Sequence, residues 1–167
     1  MNKVKQLTFI AVYVAIIVAL QTLLSGIVGI ELTTLLFTVS AVFLPLGMTF
    51  PMVIVYCLIE GIMFGFGDWV LVYLIYWSFV ISITYVFRKI CKKRLLFFSL
   101  LNAIFGFLIG IFFAIEILIV YDLAYATSYY LNGVTSDVLH FGSNFLIALI
   151  LFPVMQRIMP KIINFKI

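Results

Sequence analysis

Six apolar segments, each close to the length of a membrane-spanning helix, dominate this sequence. They are separated by Gly, Pro and charged residues and cover approximately 5–24, 32–48, 51–64, 70–87, 95–120 and 137–159. About 20 apolar residues in an α-helix cross the hydrocarbon core of a bilayer. Because 66% of the residues are hydrophobic and only 10% are charged, a soluble domain of this length could not bury so much apolar surface. The sequence therefore predicts an all-α integral membrane protein with six transmembrane helices, built as one domain over residues 1–167.

Two stretches of the chain interrupt this regular pattern. Pro45, Gly47 and Pro51 lie close together between the second and third segments, which predicts that one of these two helices is short, tilted or kinked. Residues 121–136 are amphipathic and rich in Tyr. They predict a short interfacial helix between helices 5 and 6, closed by Asn132 and Gly133.

The charged residues divide between the two sides of the predicted membrane. With six crossings and a cytoplasmic N-terminus, all ten Lys and Arg residues fall on the cytoplasmic side, as the positive-inside rule requires. The densest group is the basic run at 88–94, which is typical of a cytoplasmic loop that touches anionic lipid. The acidic residues lie in or beside the outer loops and in the outer parts of two helices. We expect a multi-pass protein of the plasma membrane with both termini in the cytoplasm.

The first apolar segment carries three alanines at intervals of four residues. Ala11, Ala15 and Ala19 fall on one face of a helix and form a smooth ridge that another helix can approach closely. The pattern by itself favours packing of this ridge against the protein's own helices. Docking of a helix from a partner protein is the alternative.

Polar and aromatic residues collect in the predicted outer half of the protein. Ionisable groups inside a membrane are costly, so a residue such as Glu60 is a functional candidate for that reason. Each Tyr and Trp at this depth has an ordinary alternative role in an aromatic belt at the headgroup level. The predicted substrate-binding residues are Glu31, Glu60, Asp68, Trp69, Tyr73, Tyr121, Tyr125, Asp137, His140 and Asn144.

Helical spacing brings some of these residues together. Asp137, His140 and Asn144 share one face of the sixth helix, and Tyr121 and Tyr125 share one side of the segment before it. The first face is either the floor of a ligand pocket or an ordinary helix start with a hydrogen bond between helices. Because no Lys or Arg lies in this half, a pocket here suits a neutral or cationic ring compound. An anionic ligand would need backbone N–H groups at helix ends.

Enzyme motifs are missing from the sequence. It has no Gly-rich phosphate loop, so ATP hydrolysis would have to come from other subunits. A metal site of Asp137 and His140 with Glu60 or Asp68 can be drawn, but these residues have no diagnostic spacing. The two Cys residues have no metal or redox spacing either. We expect no resident cofactor and no nucleic-acid partner.

Four stretches carry a resemblance to a known family. They are AVYVAIIVA at 11–19, GIELTTLLF at 29–37, EGIMFGFGDW at 60–69 and GVTSDVLHFGSNFLIALILF at 133–152. Together with the length and the six predicted helices, they make the chain similar to the substrate-specific S components of energy-coupling factor (ECF) vitamin transporters of prokaryotes. The alanine ridge matches the AxxxA signature of that family.

The resemblance implies a function in vitamin uptake. Such a subunit binds its vitamin from outside, in a pocket made by outer helix ends and the loop after the first helix, here 25–32. It then associates through Ala11, Ala15 and Ala19 with a transmembrane coupling subunit and two ATPase subunits. A pyridoxine-like or hydroxymethylpyrimidine-like compound is the expected ligand, and a larger cobalamin-like one stays open. The alternatives are a small intramembrane metal-dependent enzyme and an accessory membrane subunit without a ligand.

Overall fold

The computed structural model describes residues 3–163, and over this range the chain forms six α-helices. Five of them are long and apolar enough to cross a membrane, whereas the second has only 11 residues. The prediction of an all-α, multi-pass membrane protein is confirmed, with five candidate spans in place of six. The helices are α1 Lys3–Leu24, α2 Thr33–Phe43, α3 Leu46–Phe64, α4 Asp68–Lys93, α5 Leu95–Val120 and α6 Leu123–Ile163.

The two ends of the bundle differ in charge. Helix α4 begins with Asp68 and ends with Lys92 and Lys93, and the single residue Arg94 separates it from α5. We call the end of the bundle at Lys93 the basic end and the end at Asp68 the acidic end. The acidic residue and the basic residues each lie where they interact favourably with the α4 dipole.

Helix α2 fills only the half of the bundle next to the basic end. At about 1.5 Å per residue it is about 16 Å long, half the thickness of the hydrocarbon core. Its last residue, Phe43, has its ring 5.0 Å from the Lys92 ammonium nitrogen at the end of α4. The helix ends because Leu44, which precedes Pro45, is extended (φ −111°, ψ 157°), as residues before proline prefer. The predicted second span, 32–48, is therefore divided at this proline.

The chain between α1 and α2, residues 25–32, enters the bundle to reach the buried start of α2. It passes against α6 at Gly29, which is buried and has a positive φ of 78°. The Gly29 carbonyl oxygen accepts a hydrogen bond from the Ser143 hydroxyl. A Cβ atom at Gly29 would lie 2.6 Å from the Leu139 Cβ. Only glycine suits both this backbone conformation and this close approach.

Helix α6 is continuous over 41 residues. The predicted interfacial segment, 121–136, and the predicted sixth span, 137–159, are not separate, because Asn132 and Gly133 do not interrupt the helix. Asp122 precedes the helix, and its carboxylate accepts a hydrogen bond from the Tyr125 backbone N–H at 2.7 Å, which is the geometry of an N-cap. A helix of this length is about 60 Å long, twice the hydrocarbon thickness.

Two glycines of α5 allow it to approach α6 closely. A Cβ atom at Gly106 would lie 2.5 Å from the Asn144 amide nitrogen and 2.8 Å from the His140 carbonyl oxygen. One turn further along, a Cβ atom at Gly110 would overlap the carboxylate of Asp137. The small residues therefore make room for the polar face of α6, as small residues do between membrane helices.

Replacing Gly106 by Ala is expected to destabilise the bundle, because α5 and α6 would have to separate. We expect a melting temperature lower by roughly 3–10 °C in detergent. Gly142→Ala is the matched control, since a Cβ atom there meets nothing within 4 Å and Ala is the better helix former. A Gly106→Ala protein as stable as the wild type would contradict the described packing of α5 on α6.

Candidate ligand-binding site

A cavity of about 290 Å³ lies above the start of α2, on the side of the acidic end. Loop residues 25 and 27–31 form one wall, and side chains of five helices form the others. Its volume is at the small end of the range for pockets that hold small molecules. None of its lining residues is Lys or Arg. The side chains used below are Glu31, Tyr56, Tyr73, Tyr76, Trp77 and His140.

The Glu31 carboxylate is anchored at the base of this cavity. Its Oε1 accepts a hydrogen bond from the Thr34 hydroxyl at 2.6 Å and another from the Asn144 amide at 2.9 Å. Thr34 and Asn144 are both buried, and Glu31 lies beside the N-terminus of α2, where the helix dipole favours a negative charge. Two strong donors and this dipole offset the cost of placing a carboxylate in the bundle.

The second oxygen of Glu31 is free for a ligand. Both hydrogen bonds from the described part of the chain use Oε1, so Oε2 has no donor from it. Because the side chain lines the cavity, a ligand that carries an N–H or O–H group can donate to this oxygen. Charge-assisted hydrogen bonds of this kind are about twice as strong as neutral ones.

Aromatic residues of α3 and α4 form the opposite wall. The Tyr76 and Trp77 ring centroids are 4.8 Å apart, and the Tyr56 ring meets Trp77 edge-on at 6.2 Å. The Tyr76 hydroxyl donates to the Phe105 carbonyl oxygen, which fixes its position. The Tyr56 hydroxyl and the Trp77 indole nitrogen are buried and have no hydrogen-bond partner in the described part of the chain. Since such atoms are costly to leave unpaired, a ligand that pairs with either one gains affinity.

His140 has a defined tautomer in its neutral form. Its Nδ1 lies 2.9 Å from the Ser136 carbonyl oxygen, and a carbonyl oxygen only accepts hydrogen bonds, so Nδ1 carries the proton. Nε2 of the neutral ring is then an acceptor. Glu31 and His140 thus contribute acceptors to the lining, and the Trp77 indole N–H is a donor buried within the wall.

The structure brings together only part of the predicted binding set. Glu31, Tyr73 and His140 line the cavity, and Asn144 lies behind Glu31 and holds it. Asp137 is buried beside a second, smaller cavity.

The other five predicted binding residues line neither the main cavity nor the smaller one. Glu60 is buried one helical turn from Tyr56. Trp69 packs edge-on against Tyr73 at 5.4 Å, and Asp68 is exposed at the start of α4. Tyr121 and Tyr125 are also exposed, and their rings contact each other.

Most of the residues that line the cavity were missing from the predicted set. Gly29, Tyr56, Tyr76 and Trp77 all line the cavity. A helical-face analysis would have found two of them, because Tyr76 and Trp77 follow Tyr73 by three and four residues on α4. The close passage of Gly29 over α6 is a tertiary contact and leaves no local signal in the sequence.

The metal site that the alternative enzyme hypothesis would need is not assembled among the described residues. Over residues 3–163, no three or more His, Cys, Asp or Glu side chains lie close enough together to hold a metal ion. Asp68 is exposed at the start of α4, whereas Glu60 and Asp137 are buried in α3 and α6. The residues drawn together from the sequence therefore do not form one site.

The alanine ridge lies on the outer surface of α1. Ala11, Ala15 and Ala19 are exposed, whereas the opposite face, which includes Tyr13 and Ile17, is buried. The interpretation that this ridge packs against the protein's own helices is therefore wrong. The neighbouring Val12 and Ile16 are exposed as well.

Replacing Gly29 by Ala is expected to expel the loop from its place on α6, because the new Cβ overlaps Leu139 and the positive φ is strained. Hydrogen–deuterium exchange of residues 25–32 should accelerate by about tenfold or more. Gly26→Ala is the control, since a Cβ atom there meets nothing within 4 Å. Unchanged exchange in the Gly29 variant would show that the loop is not held at this position.

Comparison with known proteins identifies no relative. No protein-family model, no curated protein and no solved structure matches the chain. The described residues show a multi-pass, all-helical membrane protein with five candidate spans and a polar, aromatic-lined cavity.

Proposed function

We propose that this protein is the substrate-binding membrane subunit of an ECF-type ATP-driven importer. It binds a small neutral or cationic heteroaromatic vitamin or precursor, pyridoxine-like or hydroxymethylpyrimidine-like, and delivers it by association with a transmembrane coupling subunit and two ATPase subunits. One observation carries the proposal: an anchored carboxylate, Glu31, faces a small cavity whose aromatic wall contains unpaired polar atoms and whose lining has no Lys or Arg.

The path of the chain supports a binding site at this depth. Irregular backbone is tolerated within a membrane only where protein covers it or where it lines a cavity. Residues 27–31 line the cavity, and Gly29 is covered by α6. Membrane transporters use interrupted helices in the same way, with helix N-termini and unwound backbone around the substrate. The short α2 and the loop before it have the form of such an interrupted helix.

The charge distribution supports an orientation. Loop 25–32 enters from the acidic end and α2 continues to the basic end, so the chain as a whole still passes the bilayer six times. With the basic end in the cytoplasm, the run at 88–94 obeys the positive-inside rule. Both termini then lie in the cytoplasm of a prokaryotic cell, and the cavity opens toward the outside.

The exposed alanine ridge supports a partner helix. Lipid chains gain nothing from a smooth face, whereas a second helix can approach it closely. Ala11, Ala15 and Ala19 are exposed on α1, away from the cavity. This separation lets one face bind the coupling subunit while the other side of the protein holds the ligand.

The ligand-binding half of the proposal is tested by titrating the purified protein with a panel of unphosphorylated vitamins and precursors. Quenching of the Trp fluorescence reports binding, because one of the two Trp residues, Trp77, lines the cavity. Glu31→Gln should weaken binding of the best compound by roughly 10–150-fold, the value of a hydrogen bond to a charged group. Asp68→Asn, which removes an exposed carboxylate, should leave the affinity unchanged. Equal effects of the two substitutions, or no binding by any compound, would refute the assigned site.

The partner half is tested with Ala15→Trp, which places a large side chain on the ridge. We expect it to abolish assembly with the coupling subunit and uptake by cells, while the isolated protein still binds ligand. Ile75→Trp, at an exposed position on α4, is the control and should preserve both. The ridge has no role in docking if the Ala15 variant assembles normally. Loss of ligand binding along with assembly would indicate misfolding instead.

A further inference from the structure

A second, smaller cavity adjoins the first. Its volume is about 190 Å³, and it shares Ile109, Ser136 and His140 with the main cavity. Its remaining lining includes Asp137 and Tyr129 of α6. His140 therefore borders both compartments and lies where a ligand that occupied both would cross from one to the other.

The Asp137 carboxylate is buried beside this second compartment. The residue is only 5% exposed, and its Oδ2 has no hydrogen-bond donor among residues 3–163. Gly110 of α5 leaves room for this carboxylate, because a Cβ atom at that position would overlap it. A buried carboxylate that stays ionised costs several kcal/mol unless a positive charge or donors compensate it.

The surroundings of Asp137 favour a cation over other ligands. None of the residues that line this cavity is Lys or Arg. His140, which lines both compartments, adds the Nε2 of its neutral ring as an acceptor. The ring of Tyr129 lines the same space and offers a π face, which attracts cations.

We propose that the second compartment is a subsite for a small cationic group, held by Asp137. The group is either the positively charged end of the ligand whose ring occupies the main cavity or a free monovalent cation bound beside it. The first source rests on the proposed function, whereas the second does not. Ligand recognition is then divided between Glu31, which accepts hydrogen bonds from the ring substituents, and Asp137, which selects for positive charge.

Methylammonium chloride is the probe for the subsite alone. It should raise the melting temperature of the detergent-solubilised protein saturably, by roughly 3–5 °C at ten times its dissociation constant, whereas choline chloride at equal ionic strength should not. Asp137→Asn keeps the side-chain shape and should remove the effect, and Asp137→Ser is a second variant should Asn fold poorly. Glu116→Gln is the control, because Glu116 lies on α5 outside the lining of this cavity.

Two further probes distinguish the sources of the cation. Pyridoxine and pyridoxamine have the same ring, but pyridoxine carries a neutral hydroxymethyl group where pyridoxamine carries a cationic aminomethyl group. If the ligand supplies the cation, pyridoxamine should displace methylammonium. Asp137→Asn should then weaken the affinity for pyridoxamine at least tenfold while changing the affinity for pyridoxine less than threefold. If the cation is free, Na⁺ or K⁺ should give the Asp137-dependent rise and increase the affinity for pyridoxine.

The outcomes separate this inference from the proposed function. An Asp137-dependent cation effect in a protein that binds no vitamin would leave the subsite standing and refute the proposed function. Vitamin binding without any saturable cation effect would refute the subsite alone. A methylammonium effect that is equal in wild type and Asp137→Asn, or lost equally in Glu116→Gln, would also overturn the subsite.

Discussion

The hydrogen bonds that hold the Glu31 carboxylate determine how the rest of the structure is arranged. A carboxylate in the middle of an apolar bundle requires strong donors, and the two that it has come from different helices, Thr34 of α2 and Asn144 of α6. For Asn144 to reach it, α5 must leave room at Gly106. For Glu31 to reach Asn144, the loop must pass over α6 at Gly29. The polar contacts thus require the glycines, and the glycines permit the close packing of the helices.

The cavity exists because α2 is only half as long as a membrane span. A full helix in its place would fill the space above Glu31 with side chains. Instead, the loop and the aromatic residues of α3 and α4 surround the volume, and polar atoms of Tyr56 and Trp77 are left for a ligand to satisfy. The bundle therefore loses some packing and hydrogen bonding at this place. We interpret the unpaired atoms as a feature that serves ligand binding, since buried polar atoms without a hydrogen-bond partner are rare in folded proteins.

Hydropathy predicted the helices well because the length of an apolar run reports directly on the thickness of a bilayer. Pro45 correctly marked the irregular junction, but a proline cannot show that the helix before it begins at mid-depth. That start depends on Glu31 meeting Asn144, more than one hundred residues away in the sequence. The continuity of α6 through Gly133 is likewise a tertiary result, because a helix packed along α5 tolerates an isolated glycine. Helical spacing grouped Asp137, His140 and Asn144 correctly on α6. Their contacts nevertheless differ, because Asn144 packs against Gly106 and donates to Glu31, whereas Asp137 packs against Gly110.

Native mass spectrometry of the protein, taken directly from its membrane in mild detergent, tests the central claim most directly. The account predicts one bound molecule per chain: a small, uncharged or cationic ring compound without a phosphate group. Its occupancy should fall in Glu31→Gln and persist in Asp68→Asn. An anionic compound at equal stoichiometry, or a molecule retained equally by both variants, would contradict the assignment of this cavity as the binding site.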